Sequence, residues 1–319
     1  MGSGDLIGVV TITYNSADVL PGFLRSMARQ THSSYMLFVV DNASKDSTLA
    51  LLSESTDGRL RIIANADNRG VAAGNNQGIL AAFEAGCSSV LLLNNDTEFE
   101  PELFEKLDSG LTEHDAGMTC PKMMFFDEPQ RIWAAGGMFR PLMGYLSYHV
   151  GEGEMDNGQY DVTRAVTYVP TCCVLIRKEV FDKVGLMDER YFVYADDVDF
   201  MYRALRSGVK LVYLHDAKLL HKVGYLTGGE DSAFSTFYGT RNRIFFLLKH
   251  FGVLPTLPWL VVRQAQWLSK LATGKKDRAW YRRKNDALVK AFRMDRSPQF
   301  DTTRPGDTQP SNTQPRSNP

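Results

Sequence analysis

Over the first 120 residues, short β-branched runs alternate with longer segments whose apolar residues recur every three or four positions. The runs at 7–13, 35–40, 60–64 and 90–93 predict strands, and the segments at 19–30, 47–53, 71–85 and 102–111 predict helices. Strand–helix alternation of this kind implies an α/β fold with a mostly parallel sheet flanked by helices, whose ligands bind at the carboxyl ends of the strands. The polar residues at those ends should therefore share one crevice: Thr13, Tyr14 and Asn15, then Asp41 and Asn42, then Asn94, Asn95 and Asp96.

From about 116 to 170 the pattern shortens and turns Gly-rich, as in Ala134-Ala135-Gly136-Gly137, which predicts an irregular or antiparallel extension. A helix at 178–184 precedes a carboxylate-rich segment, a strand at 210–214 leads to His215 and then to a loop-like stretch that holds His221, and the chain reads helical from Phe234. No repeat of 20 to 50 residues is present. The last stretch, 297–319, is Pro-, Thr-, Asn- and Gln-rich without residues to bury, and reads as disordered.

Composition changes this picture little, because 44% hydrophobic and 23% charged residues suit an ordinary globular enzyme. The four cysteines, Cys87, Cys120, Cys172 and Cys173, form no CxxC pair, which argues against a disulfide framework or a zinc knuckle. No signal-peptide pattern opens the sequence, and the apolar run at 253–262 carries two prolines and falls short of the roughly 20 residues a membrane span requires. A cytoplasmic location is expected. Charge is uneven: the net charge is −1, yet residues 263–296 hold eleven Lys or Arg against three Asp. With Leu257, Leu260, Val261, Ala265 and Leu268 at helical spacing, this segment suits either the surface of an anionic membrane or a helix packed on the catalytic domain with a solvated basic face. Nucleic acid is not expected as a partner, since the remainder is acidic and no reading motif occurs.

Chemistry concentrates in five segments. Asp41 ends a strand where a carboxylate can accept the N3–H of a uracil or thymine, while Asp46 and Ser47 suit helix capping. Asn68, Arg69, Gly70, Gly74 and Asn75 belong to a small-residue loop entering a helix, a setting suited to a diphosphate or sugar hydroxyls. Asp96, leaving an apolar strand, can hold a divalent ion against a diphosphate or start the next helix. Asp196, Asp197 and Asp199 place three carboxylates within four residues at a helix start, offering a general base. His221 can complete a metal site with Asp96 or serve structurally, and Trp133 can stack on a sugar or fill the core.

This ordered set resembles the family 2 glycosyltransferases, especially bacterial rhamnosyltransferase-like members. The resemblance covers about residues 5–250 and rests on T-Y-N at 13–15, V-D-N-A-S-K-D-S-T at 40–48, N-R-G-V-A-A-G-N-N-Q-G at 68–78, L-N-N-D-T at 93–97 and G-L-M-D-E-R-Y-F-V-Y-A-D-D-V-D-F at 185–200. It implies a GT-A fold over 1–250, with a nucleotide-sugar half at about 5–120 and an acceptor half at about 121–250, followed by a basic helical extension at 251–296. Thr13, Tyr14, Asn15, Asp41, Asn68, Gly70, Asn75, Asn95 and Asp96 would line the donor site. Asp96 and His221 would hold a divalent metal, Mg²⁺ or Mn²⁺, and Asp197 would be the base of an inverting displacement. The donor implied is a nucleoside-diphosphate sugar, dTDP-rhamnose ahead of UDP-hexoses, and the acceptor a saccharide or lipid-linked saccharide of the cell envelope. Two departures stand out: Asn94 and Asn95 precede Asp96 where a D-x-D or D-D is common, and Asp196 stands where Glu is common. A sugar-nucleotide nucleotidyltransferase would need a Gly-rich triphosphate loop after the first strand, which Thr13-Tyr14-Asn15-Ser16 does not supply. A non-catalytic sugar-nucleotide-binding subunit is the alternative from another class.

Overall fold

A computed structural model describes residues 5–223 and 232–297. The disordered-tail expectation lies almost wholly outside the described residues. The first half alternates as the pattern predicts: β1 (Ile7–Thr13), α1 (Leu20–Ala28), β2 (Tyr35–Asp41), α2 (Thr48–Ser53), β3 (Leu60–Ala64), α3 (Val71–Glu84), β4 (Ser89–Leu93). These four strands lie in the order β4-β1-β2-β3, all parallel. Leu20, Phe23 and Met27 on one face of α1 are buried, and every residue of β4 is buried, as expected for a strand covered on both faces.

Beyond β4 the sheet becomes mixed. After β5 (Thr97–Phe99) and α4 (Leu103–Glu113) come β6 (Met118–Phe125), β7 (Ile132–Ala135), the hairpin strands β8 (Gly137–Arg140) and β9 (Leu146–His149), then β10 (Arg164–Val166) and β11 (Cys173–Arg177). Helices α5 (Lys178–Val184) and α6 (Asp196–Arg206) lead to β12 (Leu211–His221). The long sheet reads β10-β12-β6-β11-β4-β1-β2-β3, with β5 against β12 and β7 against β6. Strand β11 runs antiparallel between β4 and β6, which joins the parallel half to the mixed half.

The strand expected at 210–214 continues to residue 221, so His221 ends a strand and does not lie in a loop. A register shift between Leu214 and Lys218 keeps β12 paired to β6 beyond His215 and sets His221 opposite Thr97 of β5. The chain then forms α7 (Ala233–Phe251), α8 (Val253–Ala272) and α9 (Arg278–Arg293). Ser232 and Asp277 cap α7 and α9 by accepting backbone N–H groups at 3.0 and 2.7 Å. Helix α8 buries Leu260 and Trp267, and α9 buries Trp280, Ala287 and Ala291. Among the described residues no helix is long and apolar enough to cross a membrane.

Candidate functional site

The loops after β1 and β2 are stitched to each other. Thr13 Oγ1 donates to Asp41 Oδ1 at 2.8 Å, and Ser44 donates to both Asp41 oxygens, from its hydroxyl at 2.5 Å and its backbone N–H at 2.9 Å. Asn15 takes a left-handed backbone, donates its N–H to Ser44 Oγ and accepts the Lys45 N–H. Asp46 accepts from the N–H and hydroxyl of Thr48, consistent with a role in starting α2. Asp41 is wholly buried, so an N3–H from a base would have to share an oxygen that Thr13 or Ser44 already engages. Tyr14, 44% exposed, stands open at the rim.

The loop entering α3 sits against a second segment. Asn68 is exposed and accepts the Gly70 N–H at 2.9 Å; Gly70 is buried with φ 85°. A Cβ at Gly70 would collide with Phe192, whose carbonyl accepts the Val71 N–H at 2.6 Å. Asn75 is buried on α3, while the neighbouring Asn76 staples α3 to the 187–189 segment by exchanging bonds with Met187 and donating to Glu189.

Asn95 and Asp96, just past β4, are both buried. The Asn95 amide donates to the Ile12 carbonyl at 2.6 Å and to Ser16 Oγ at 3.2 Å, which ties this exit to the loop after β1. The β5–β12 pairing sets His221 beside Asp96, with Nε2 and Oδ1 3.3 Å apart. Asn95 Oδ1, Asp96 Oδ1 and His221 Nδ1 are buried and have no hydrogen-bond partner among the described residues. Buried polar atoms are nearly always satisfied, so these three, at the neighbouring ends of β4 and β12, are open to a ligand. A carboxylate and an imidazole at this position fit a divalent cation that takes its remaining ligands from a diphosphate. No group of three or more His, Cys, Asp or Glu able to hold a metal occurs among the described residues.

Aromatic contacts run from this pair to the acidic helix start. The buried Trp133 ring meets both His221 (4.4 Å) and His149 (4.5 Å) edge to face, so it belongs to the core of the site. His149 lies flat against Tyr168, whose hydroxyl donates to Asp197 Oδ2 at 2.5 Å. Burial, and then the charge of His221, pull His149 down to about 4, so it is neutral. Gly137 lets β8 pass Tyr168 closely, since a Cβ there would lie 2.7 Å from the ring. Burial pushes the Tyr168 phenol well up, and the charge of Asp197 adds to this, so the phenol keeps its proton. The buried Cys172 thiol is pushed up by burial and also by Cys173, Asp96 and Asp197, which places it near both carboxylates.

Helix α6 starts on the acids. Burial, then the Asp197 charge, push Asp196 up; burial pushes Asp197 up against the opposing bonds from Tyr168 and the Val198 N–H. The two acids titrate as an interacting pair, of which Asp196 is the more enclosed member. Asp199 faces the other way. Arg203, Lys249 and His250 contact it at 2.8, 2.6 and 2.7 Å and, against its burial, hold it well below the usual carboxylate range.

The turn before α6 is strained: Phe192, Tyr194 and Ala195 have φ of 65°, 63° and 61°. The Asn242 amide of α7, wholly buried, lies within hydrogen-bond distance of the Tyr191, Val193 and Tyr194 carbonyls, and Arg241 donates to those of Arg190 and Tyr191. Of these partners the sequence reading missed Tyr168, His149 and Asn242. Only the last carried a signal, as a polar residue with Tyr238, Phe245 and Phe246 at helical spacing around it.

The model of the family described as Glycosyl transferase family 2 matches residues 8–185, which include the loops after β1, β2 and β4 and stop before the acidic turn. The chain belongs to glycosyl transferase family 2. Among this glycosyltransferase's relatives, O-antigen biosynthesis protein RfbC of Myxococcus xanthus is 27% identical over 67% of the chain, but the match spans only 17% of RfbC. The N-acetylglucosaminyl-diphospho-decaprenol L-rhamnosyltransferase of Mycobacterium tuberculosis is 25% identical over 78% of the chain and 86% of the relative. The dTDP-rhamnosyl transferase RfbF of Shigella flexneri is 24% identical over 68% of the chain and 69% of its own length. Among solved structures, GalNAc-T7 with UDP, GalNAc and Mn²⁺ superposes with a TM-score of 0.60 at 14% identity, over 78% of this chain and 51% of that one. The fold is GT-A.

Proposed function

We propose that this family 2 glycosyltransferase performs an inverting transfer of a sugar, rhamnose first, from a nucleoside-diphosphate donor to a hydroxyl of a lipid-linked or free saccharide in cell-envelope glycan synthesis. The observation that supports the reading is the run of contacts from Asp96 and His221 through Trp133, His149 and Tyr168 to Asp197, which sets the proposed metal pair and the proposed base at the two ends of one connected cluster. The names of the M. tuberculosis and S. flexneri relatives support rhamnose and dTDP, and the first supports an acceptor joined to a lipid by a diphosphate.

In this reading Thr13, Tyr14, Asn15, Asp41, Asn68, Gly70, Asn75 and Asn95 form the donor pocket. Asp197, ionised and oriented by Tyr168, accepts the acceptor's proton. Asp96 and His221 would hold Mg²⁺ or Mn²⁺, which when bound supplies positive charge against the departing diphosphate. The reaction runs on the cytoplasmic face of the membrane, supported by exposed Leu254, Val261, Val262 and Leu268 on α8 in the basic segment.

A donor panel followed by release of nucleoside diphosphate tests this. Turnover of dTDP-rhamnose is expected, lost with chelator and restored by Mn²⁺ or Mg²⁺, and reduced on the order of tenfold or more in Asp96→Ala. Turnover indifferent to both chelator and the substitution removes the metal. Donor binding without turnover on any acceptor favours the non-catalytic subunit.

A further inference from the structure

The three C-terminal helices and the β8–β9 hairpin enclose two adjoining cavities outside the site described above. A groove of about 620 Å³ lies between the turn Pro141–Met143 and α8, walled by Leu142, Met143, Leu247, Phe251, Pro255 and Val262. Beside it, a pocket of about 300 Å³ between α7, α8 and α9 presents Arg243, Arg263 and Lys270 among Trp259, Trp267 and Trp280. The two share Leu146, Trp259 and Arg263 as walls. Their volumes suit small-molecule ligands, for which the usual range is about 300–1,000 Å³.

Two of these charges, Arg243 in the pocket and Arg263 in the shared wall, lack a counter-ion among the described residues. Arg243 donates to the Met143 and Gly144 carbonyls at 3.0 and 2.6 Å, and its buried Nε has no partner among the described residues. Arg263 lies over the Trp259 ring at 5.0 Å and donates to Gln266. Neither arginine forms an ion pair with a carboxylate among the described residues. Burial, and then the Arg263 charge, pull Arg243 down to about 10, so the two cations repel. An anion between them would relieve that repulsion and gain charge-assisted hydrogen bonds.

Position connects this wall to the cleft. Strand β9 begins at Leu146, in the shared wall, and ends at His149, stacked on the tyrosine that binds Asp197. Three residues of strand span about 10 Å. A molecule with an anionic link at the arginines and an apolar tail in the groove could therefore reach the cleft with a sugar.

We infer that these cavities seat a lipid-linked acceptor, its phosphate-bearing link against Arg243 and Arg263 and its hydrocarbon tail along Leu142, Met143, Phe251 and Val262. This rests on the proposed glycosyl transfer. The occupant is a single lipid and not a bilayer surface, because the groove is concave and shares its wall with the basic pocket.

Farnesyl diphosphate is the probe, titrated into the full chain by calorimetry in chelator, so that no divalent ion can hold it at Asp96. It should bind at least tenfold more tightly than inorganic diphosphate or farnesol. Arg263→Ala, at a half-buried position of α8, should weaken it on the order of tenfold, the effect of losing one charge-assisted bond. Leu142→Asp, at a fully exposed turn, should weaken farnesyl diphosphate and leave inorganic diphosphate unchanged. Equal affinity in wild type and Arg263→Ala overturns the seat, as does binding to anionic vesicles with none to farnesyl diphosphate. Nucleoside diphosphate with Mn²⁺ is titrated into the same protein in buffer without chelator. If it binds and farnesyl diphosphate does not, the seat falls and the transfer reading stands; if only farnesyl diphosphate binds, the seat stands and the donor reading falls.

Discussion

Asp197 and Asp199 sit two residues apart in the first turn of α6, near the same positive helix end, yet their surroundings push them in opposite directions. Both are removed from water, which raises a carboxyl. Asp199 meets two charged side chains and His250 and falls well below the ordinary range, whereas Asp197 meets one phenol and one backbone N–H and stays above it. Two residues of helix turn a side chain by about 200°, so one aspartate faces Tyr168 and the other faces α7. A cluster of acids is thus divided between the proposed chemistry and architecture by the partners each one reaches.

The sharpest way to break this comparison is Asp197→Asn. The amide keeps the shape and cannot take a proton, so turnover should fall roughly 10²-fold or more while nucleoside diphosphate binding with Mn²⁺ stays within a few-fold. A turnover assay beside calorimetry reads both quantities. Retention of more than about a tenth of wild-type turnover would remove Asp197 from the base role.

Asp199→Asn should act on folding. Removing one member of a buried charged cluster leaves Arg203 and Lys249 poorly compensated, a loss on the order of 3 kcal/mol. Because the folded pKa of Asp199 is depressed, its contribution is present above the ordinary carboxylate pKa and disappears as pH falls through the folded value. The gap between wild-type and variant melting temperatures should therefore hold steady from pH 6 to 8 and shrink in strong acid. A variant as stable as wild type at pH 7, with turnover lost, would assign Asp199 to chemistry after all.

The sequence made one side of this comparison easy to read and hid the other. The parallel strands and their polar exits were legible because each motif is local, with an apolar run followed at once by Thr13-Tyr14-Asn15, Asp41 or Asn95-Asp96. Helix α6 begins at Asp196, within a residue of the expected start, for the same reason. Strand β11 escaped notice, since four consecutive buried residues, Cys173 to Ile176, show no alternation that separates strand from helix. His221 was misplaced in a loop because only a register shift in pairing carries β12 past His215. Tyr168 was invisible: it sits in the irregular region, held near Asp197 by a bridge to Gly137 more than thirty positions away. Asp199 likewise depends on Lys249 and His250, some fifty residues distant, so its role follows from tertiary packing and not from its own segment.

Tyr168→Phe gives the smallest effect and the most specific one. The phenol donates to the charged form of Asp197 and so lowers its pKa, partly opposing burial. Loss of that bond should raise the Asp197 pKa further and move the acid limb of kcat toward higher pH by about one unit, since one hydrogen bond to a charged group is worth about 1.5 kcal/mol or more. At a pH on the wild-type limb the variant should be up to about tenfold slower, and raising the pH should restore most of that loss. The phenol itself does not compete as the titrating group, because burial holds it well above its usual range. A pH–rate profile of both proteins, with saturating donor and Mn²⁺, measures the displacement directly. An equal loss at every pH would mean that Tyr168 positions Asp197 without tuning it, and an unchanged profile would show that the 2.5 Å contact has no part in turnover.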